Sequence, residues 1–362
     1  MNTNVIEIEN KVKNYIEKSI EYFDMSGVAV GIQISNSSPL TCAGFDEEYA
    51  FGYSDYDEKI ALLPDDVFHF ASVSKLFVST SIMQLAANEK IDIDEKVLAY
   101  LPKFVMADER YKNITIRQML SHTAGMPDVT DYHWNTPKTD EKALRDFVYS
   151  DEVKNGKLLH DPGEPVFIYS NMAYEILGHL IAEVSELSFE DYIAKNIFIP
   201  LAMRDSTFLT FLRDCEKTRM AAPHIKDEKK HIHKINIYPY NREHAPSSTL
   251  TSTLLDIKKW GRAHLEASLS TNNDCFFSNI PYKVVWYPIA EIPNVKEEMG
   301  LGWFIRKQDS YTLYGHEGSD DGFRSSFWIC PELKLQITVL SNLDKAPVKK
   351  INKRLFEILT NK

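Results

Sequence analysis

Ser72-Val73-Ser74-Lys75 is the first combination in this chain with the means to attack a carbonyl. Ser72 is the only serine with a lysine three positions later. On a helix starting at Ser72, Lys75 lies one turn on, on nearly the same face. The helix start adds free N–H groups and positive potential beside the hydroxyl. A hydroxyl next to an amine in that setting is an activated nucleophile. Taken alone, the same four residues fit an N-cap serine and a solvated lysine, so the reading needs further residues.

Tyr169-Ser170-Asn171 supplies them. In an extended segment, residues two apart point the same way, so Tyr169 and Asn171 face one cleft. A tyrosine relays a proton when nearby cations tune it. An asparagine amide holds a substrate carbonyl or orients Lys75. The chain's other Y-x-N, Tyr111-Lys112-Asn113, follows Asp108-Glu109-Arg110 and reads as a solvated loop. A third stretch, His316-Glu317-Gly318-Ser319, lies on or just after a strand, where Gly318 lets the backbone approach a substrate. The N–H groups of Ser72 and Ser319 are the expected oxyanion donors.

These pieces need elements to hold them. Val5, Ile8, Val12, Tyr15, Ile16, Ile20 and Phe23 recur at helical spacing, with Gly27 as a stop signal. Val28–Ser35 and Glu48–Tyr53 read as strands. Ser72–Glu89 reads as a helix burying Leu76, Phe77, Ile82 and Leu85. Residues 90–290 are mostly helical, clearest over Thr115–Ser121 and Met172–Val184, with Asp227–Glu243 as a wandering loop. From Leu301 the period becomes two: Trp303–Arg306, Tyr311–Tyr314, Arg324–Cys330 and Leu335–Ser341 form an antiparallel meander, closed by a helix over Val348–Leu359. The expected fold is α+β: an antiparallel sheet flanked by helices and built from both termini, with an inserted, mainly helical subdomain. The expected parts are 1–75 plus 295–362 and 76–294, within one catalytic domain.

Composition narrows the function classes. A net charge of -11 over 362 residues gives no electrostatic help in binding nucleic acid or anionic membranes. No stretch has the apolar length of a membrane span, and charged residues interrupt the first 23 residues as no secretory leader allows. A cytoplasmic location is the resulting expectation. Cys42, Cys215, Cys275 and Cys330 are widely spaced and are expected as free thiols. His231-Ile232-His233, with His224 and His244, lacks carboxylate or cysteine partners at ligand spacing, so no metal is expected. Trp134, Trp286, Tyr287 and Trp303 belong to either a pocket or the core.

In order, Ser-x-x-Lys, Tyr-Ser-Asn and His-x-Gly resemble the penicillin-recognising serine hydrolases, and most of all the branch of class C β-lactamases and their esterase and D-peptidase relatives. The stretches Ile114–Pro127, Pro162 through Gly178, and Ala245-Pro246 through Trp260 are similar to family segments, with Ser247-Ser248 where a glycine pair is often found. The resemblance runs from about Gly27 to the end. It implies a β-lactamase/transpeptidase-like fold and a Ser72 acyl-enzyme. It also implies proton transfer by Lys75 and Tyr169, with Tyr169 activating the deacylating water, and substrate positioning by Asn171, with no cofactor. The third motif departs from the usual Lys-Thr-Gly, and Glu317, Asp320 and Asp321 add negative charge that Arg324 offsets in part. This favours ester, amide or D-peptide substrates over efficient penicillin hydrolysis. The alternatives are an acyltransferase and a non-catalytic binding or sensing protein of the same fold.

Overall fold

The computed structural model describes residues 3–214, 217–271 and 274–361. Among them lie thirteen strands: β1 (Gly27–Ile34), β2 (Asp46–Asp55), β3 (Ile60–Ala61), β4 (Phe68–His69), β5 (His224–Lys226), β6 (Ile232–Lys234), β7 (Thr251–Ser252), β8 (Ala290–Glu291), β9 (Glu297–Met299), β10 (Phe304–Gln308), β11 (Tyr311–Asp320), β12 (Phe323–Cys330) and β13 (Leu335–Ser341). Nine form one sheet in the order β3-β2-β1-β13-β12-β11-β10-β9-β8, antiparallel at each pairing. β1 pairs with β13 from Val28↔Ser341 to Ile34↔Leu335, so both ends of the chain meet at the centre of the sheet.

β1 is buried along its whole length, which explains its unbroken apolar sequence. Its larger side chains, Val28, Val30, Ile32 and Ile34, join Val12 and Ile16 of the helix Thr3–Phe23 and Ile351, Leu355 and Phe356 of the helix Val348–Leu359. The opposite face carries the small residues Ala29 and Gly31, against which the helix Leu254–Leu269 closes. A Cβ on Gly31 would stand 3.3 Å from Leu254. Beyond that helix lies the larger core, where Phe77 stacks on Trp260 at 4.4 Å and Trp260 on Trp303 at 5.7 Å. The architecture is therefore terminal helices, sheet and helical half in successive layers.

Several local expectations change. Gly27 does not stop the first helix. It opens β1, where a Cβ would crowd Tyr53 O at 2.7 Å. The helix expected from Ser72 starts at Ser74 and is preceded by a 3-10 turn, Ala71–Val73. Asp227–Glu243 is no wandering loop, because β5 and β6 pair as a hairpin across its first part. Tyr111 is buried against Phe104 rather than solvated. Trp303 belongs to the core, and Tyr287 is exposed. β11 is one long strand, and its His-Glu-Gly-Ser segment lies inside it. Cys42, Cys275 and Cys330 are free, while Cys215 lies outside the described residues. No helix among the described residues is long and apolar enough to cross a membrane.

Candidate active site

Two antiparallel contacts set the position of Ser72. β4 pairs with β7, and Phe70 N–H donates to Leu250 O at 2.8 Å. The chain then turns sharply through Ala71, whose φ of +47° is a left-handed conformation unusual for a residue with a side chain. Such a conformation stores roughly 1–3 kcal/mol and persists only where the surroundings enforce it. Here they do: Ser325 Oγ of β12 donates to Phe70 O at 2.6 Å, and Ser74 Oγ accepts from Leu250 N–H at 3.0 Å. Ser72 emerges half-buried in the 3-10 turn that leads into a 14-residue helix.

Lys75, one turn further on, is completely buried. Its Nζ donates to Ser72 Oγ at 3.1 Å, Asn171 Oδ1 at 2.6 Å and Ser247 O at 2.8 Å. Burial pulls its pKa down to about 8, against the opposing pull of Glu175, Asp128 and Asp320. A neutral amine is thereby accessible near physiological pH. Tyr169 lies beside it, with the ammonium 5.0 Å from the ring centroid, and hydrogen-bonds Ser72. Burial raises the phenol well above its ordinary value despite that bond, so the hydroxyl keeps its proton.

Tyr169 and Asn171 reach the same point for nearly the reason expected. Ser170 between them is extended (φ −143°, ψ 116°), but it is the N-cap of the helix Asn171–Ser185, and its hydroxyl accepts from Ala173 N–H at 3.0 Å. Asn171 is thus the first residue of a helix. Its N–H and Nδ2 both donate to Asp128 Oδ1, at 2.7 and 3.0 Å, which leaves Oδ1 of the amide turned to Lys75.

The third segment closes the site. β10 pairs with β11 only as far as Gly315, so the strand edge beyond it lies open. There β11 meets the Ala71–Val73 turn. Gly318 makes the approach possible: a Cβ there would overlap Ser325 Oγ and Phe70 O and touch Ala71 Cβ at 3.1 Å. His316 is buried, stacks on Phe304 at 4.2 Å and shares its Nδ1 with Glu317 O at 2.5 Å. Burial, and then the Lys75 charge, depress its pKa to about 3, so it is neutral with Nε2 unpartnered. Ser319 is exposed at the edge. Glu317, next in alternation, turns away from His316 and pairs with Arg306 and Trp328 Nε1, each at 2.8 Å. Arg324 pairs with Asp344 and the carbonyls of Asp320 and Phe323. Neither contributes the cleft charge the sequence suggested.

Sequence reasoning missed four contributors, and of a fifth, Asp320, it saw only the charge. His122 stacks on Tyr169 at 4.5 Å and accepts from Ser170 N–H. Asp128 clamps Asn171, and Ser247 acts through a carbonyl, which has no signature in residue type. Glu175 is fully buried and accepts from Ser247 Oγ at 2.5 Å. It lies four residues after Asn171, so a carboxylate on an otherwise apolar helix face was the readable signal. Asp320 accepts from Ser248 Oγ and from His69 Nε2, the latter at 2.7 Å. As for metals, His133, Glu243 and His244 bring ligand atoms within 4.8 Å of one another, but Glu243 already accepts from Lys138 Nζ and Asn241 Nδ2. His231 and His233 are on the exposed hairpin.

Set against known proteins, residues 21–360 match the family described as Beta-lactamase. The chain belongs to the Beta-lactamase family. Among curated relatives, it is 29% identical over 360 residues to Protein flp of Staphylococcus aureus (strain MW2), which covers 98% of this chain and 67% of that one. Among solved structures, the octameric penicillin-binding protein homologue from Pyrococcus abyssi superposes with a TM-score of 0.81 at 22% identity, covering 98% of this chain and 77% of that one. D-amino acid amidase from Ochrobactrum anthropi SV3, complexed with L-phenylalanine amide, gives 0.77 at 19%, covering 98% and 99%. These similarities establish a β-lactamase/transpeptidase-like fold of helices and antiparallel sheet and support serine hydrolase activity in general.

Proposed function

We propose that this Beta-lactamase family protein cleaves an ester or amide through a Ser72 acyl-enzyme, and that β-lactams are at best poor substrates. The observation that carries the reading is the 3.1 Å contact between Ser72 Oγ and a buried Lys75 whose pKa is depressed to about 8. In acylation, neutral Lys75 takes the hydroxyl proton, directly or through the Tyr169 phenol, as the Ser72 Oγ–carbonyl bond forms. The backbone N–H groups of Ser72 and Ser319 receive the oxyanion. Collapse breaks the bond to the leaving group, which takes its proton from the same relay. Water then attacks the ester, with Tyr169 and Lys75 accepting its proton, and Ser72 is regenerated. Asn171, held by Asp128, keeps Lys75 in place. The preference against lactams rests on His316, a neutral ring where cell-wall peptidases and β-lactamases carry a lysine.

Turnover of p-nitrophenyl acetate and of nitrocefin by the same preparation ranks the two classes. Faster ester turnover is expected. Nitrocefin turning over with the higher kcat/KM would overturn the preference.

A further inference from the structure

The chain is acidic overall, yet one recess in it is basic. The helices Thr3–Phe23 and Val348–Leu359 pack against each other on the outer face of the sheet. Between them runs a groove of about 890 Å³, within the size range of small-molecule sites. Its walls carry Lys18 from the first helix and Lys349, Lys350, Lys353 and Arg354 from the last, against a single carboxylate, Glu357. The net charge of the whole chain is -11, so the groove reverses the sign of the protein around it.

These cations differ in what already holds them. Arg354 pairs with Glu357 at 2.6 Å, and Lys349 with the buried Glu297 at 2.8 Å. Lys18, Lys350 and Lys353 have no carboxylate in ion-pair contact among the described residues. Lys353 is half-buried. Burial first, then the Arg306 charge, hold its pKa below the ordinary lysine value, with Lys349 adding to the effect and Glu297 and Glu317 opposing it. An anion beside Lys353 would relieve that strain. Aromatic rings supply much of the remaining lining. Tyr22 and Phe23 meet edge to face at 4.7 Å, and the Lys350 ammonium lies 5.2 Å from the Phe23 centroid. Tyr22 is largely exposed. Unpaired cations attract an anion, and the rings beside them favour one carried on an apolar body. A recess of this size suits a small molecule, whereas an anionic membrane would be repelled by the rest of the chain.

We infer that this groove binds a small anionic amphiphile, a phosphate or carboxylate carried on an aromatic or alkyl body. It lies across the sheet from the Ser72 cleft and does not depend on the acyl-enzyme reading.

Isothermal titration calorimetry on the full chain tests this. 1-Naphthyl phosphate and 1-naphthoate are the probes, with inorganic phosphate and 1-naphthol as the charge-only and ring-only controls. Each probe is expected to bind at least about 10-fold more tightly than either control, the range of one charge-assisted hydrogen bond. Raising the salt from 50 to 500 mM should weaken it several-fold. Lys350→Gln combined with Lys353→Gln should weaken the probes by about 10- to 100-fold. Tyr22→Ala should cost roughly 3- to 10-fold. Lys229→Gln, on the exposed β5–β6 hairpin, should change nothing. Lys350 and Tyr22 are exposed, so their replacement leaves the core intact, and a thermal melt verifies the fold of each variant. Undiminished binding in the folded double variant would overturn the site, and so would 1-naphthol binding as tightly as the charged probes. Capture of phosphatidylglycerol vesicles without binding of either probe would also overturn it, assigning the charge to a surface contact instead.

Discussion

In the proposed mechanism, burial decides which of the two proton carriers is the base. It pushes Lys75 down to about 8 and Tyr169 up, so the amine loses its proton first and the phenol serves as a donor and relay. For a neutral ester, kcat/KM is therefore expected to rise with pH through about 8, as Lys75 loses its charge, with no descending limb from Tyr169 at neutral pH. A stopped-flow or plate assay from pH 6 to 9.5 checks this. Lys75→Met should lower kcat by about 10²- to 10⁴-fold, the usual share of general-base catalysis, while the fold survives because a buried charge has been replaced by an apolar chain of similar length. The three motifs were readable because they put a hydroxyl, an amine and a phenol in recognisable short patterns. Asp128 and Ser247 were not, because one acts on Asn171 across 43 residues and the other offers only a backbone oxygen.

Among the elements, β11 carries the most constraint, since its two faces do different work. His316 and Gly318 face the turn that bears Ser72, while Glu317 joins Arg306, Glu297 and Trp328 in a buried ionic network on the far side. Gly318→Ala should displace the Ala71–Val73 turn, lowering turnover sharply and stability by about 1–3 kcal/mol, as overpacking does. Parallel activity and thermal-melt measurements would show both losses. Arg306→Ala should behave differently. It leaves buried Glu317 without its cation and Glu297 with Lys349 alone, and should cost roughly 3–5 kcal/mol in chemical denaturation, with kcat per folded molecule retained. The period-two pattern after Leu301 announced the meander but understated β11, because its glycines at 315 and 318 interrupt the alternation a strand normally shows. The 3-10 turn at Ala71–Val73 was hidden for a related reason: its left-handed residue is an alanine, and tertiary contacts, not local preference, hold it there.

At the scale of the whole molecule, the chain's two ends build the sheet, and the middle builds the half that carries Tyr169 and Asn171. The cleft exists only when both are folded. The sequence foretold this layering through the amphipathic terminal helices and the apolar run of β1; it did not foretell the helix Leu254–Leu269 lying directly on the sheet, which depends on the small faces of Ala29 and Gly31. The outer layer lies across the sheet from the site, so Ile16→Ala should reduce stability by about 2–5 kcal/mol while leaving kcat unchanged below the melting transition. The central claim, that an alcohol and an amine one turn apart join a phenol from a distant part of the chain in one covalent machine, is tested most directly by intact-mass spectrometry after exposure to a fluorophosphonate. The wild-type protein should gain the mass of one adduct and Ser72→Ala, equally folded by circular dichroism, should gain none. A folded wild type that stays unmodified, or a Ser72→Ala variant that is modified to the same extent, would contradict it.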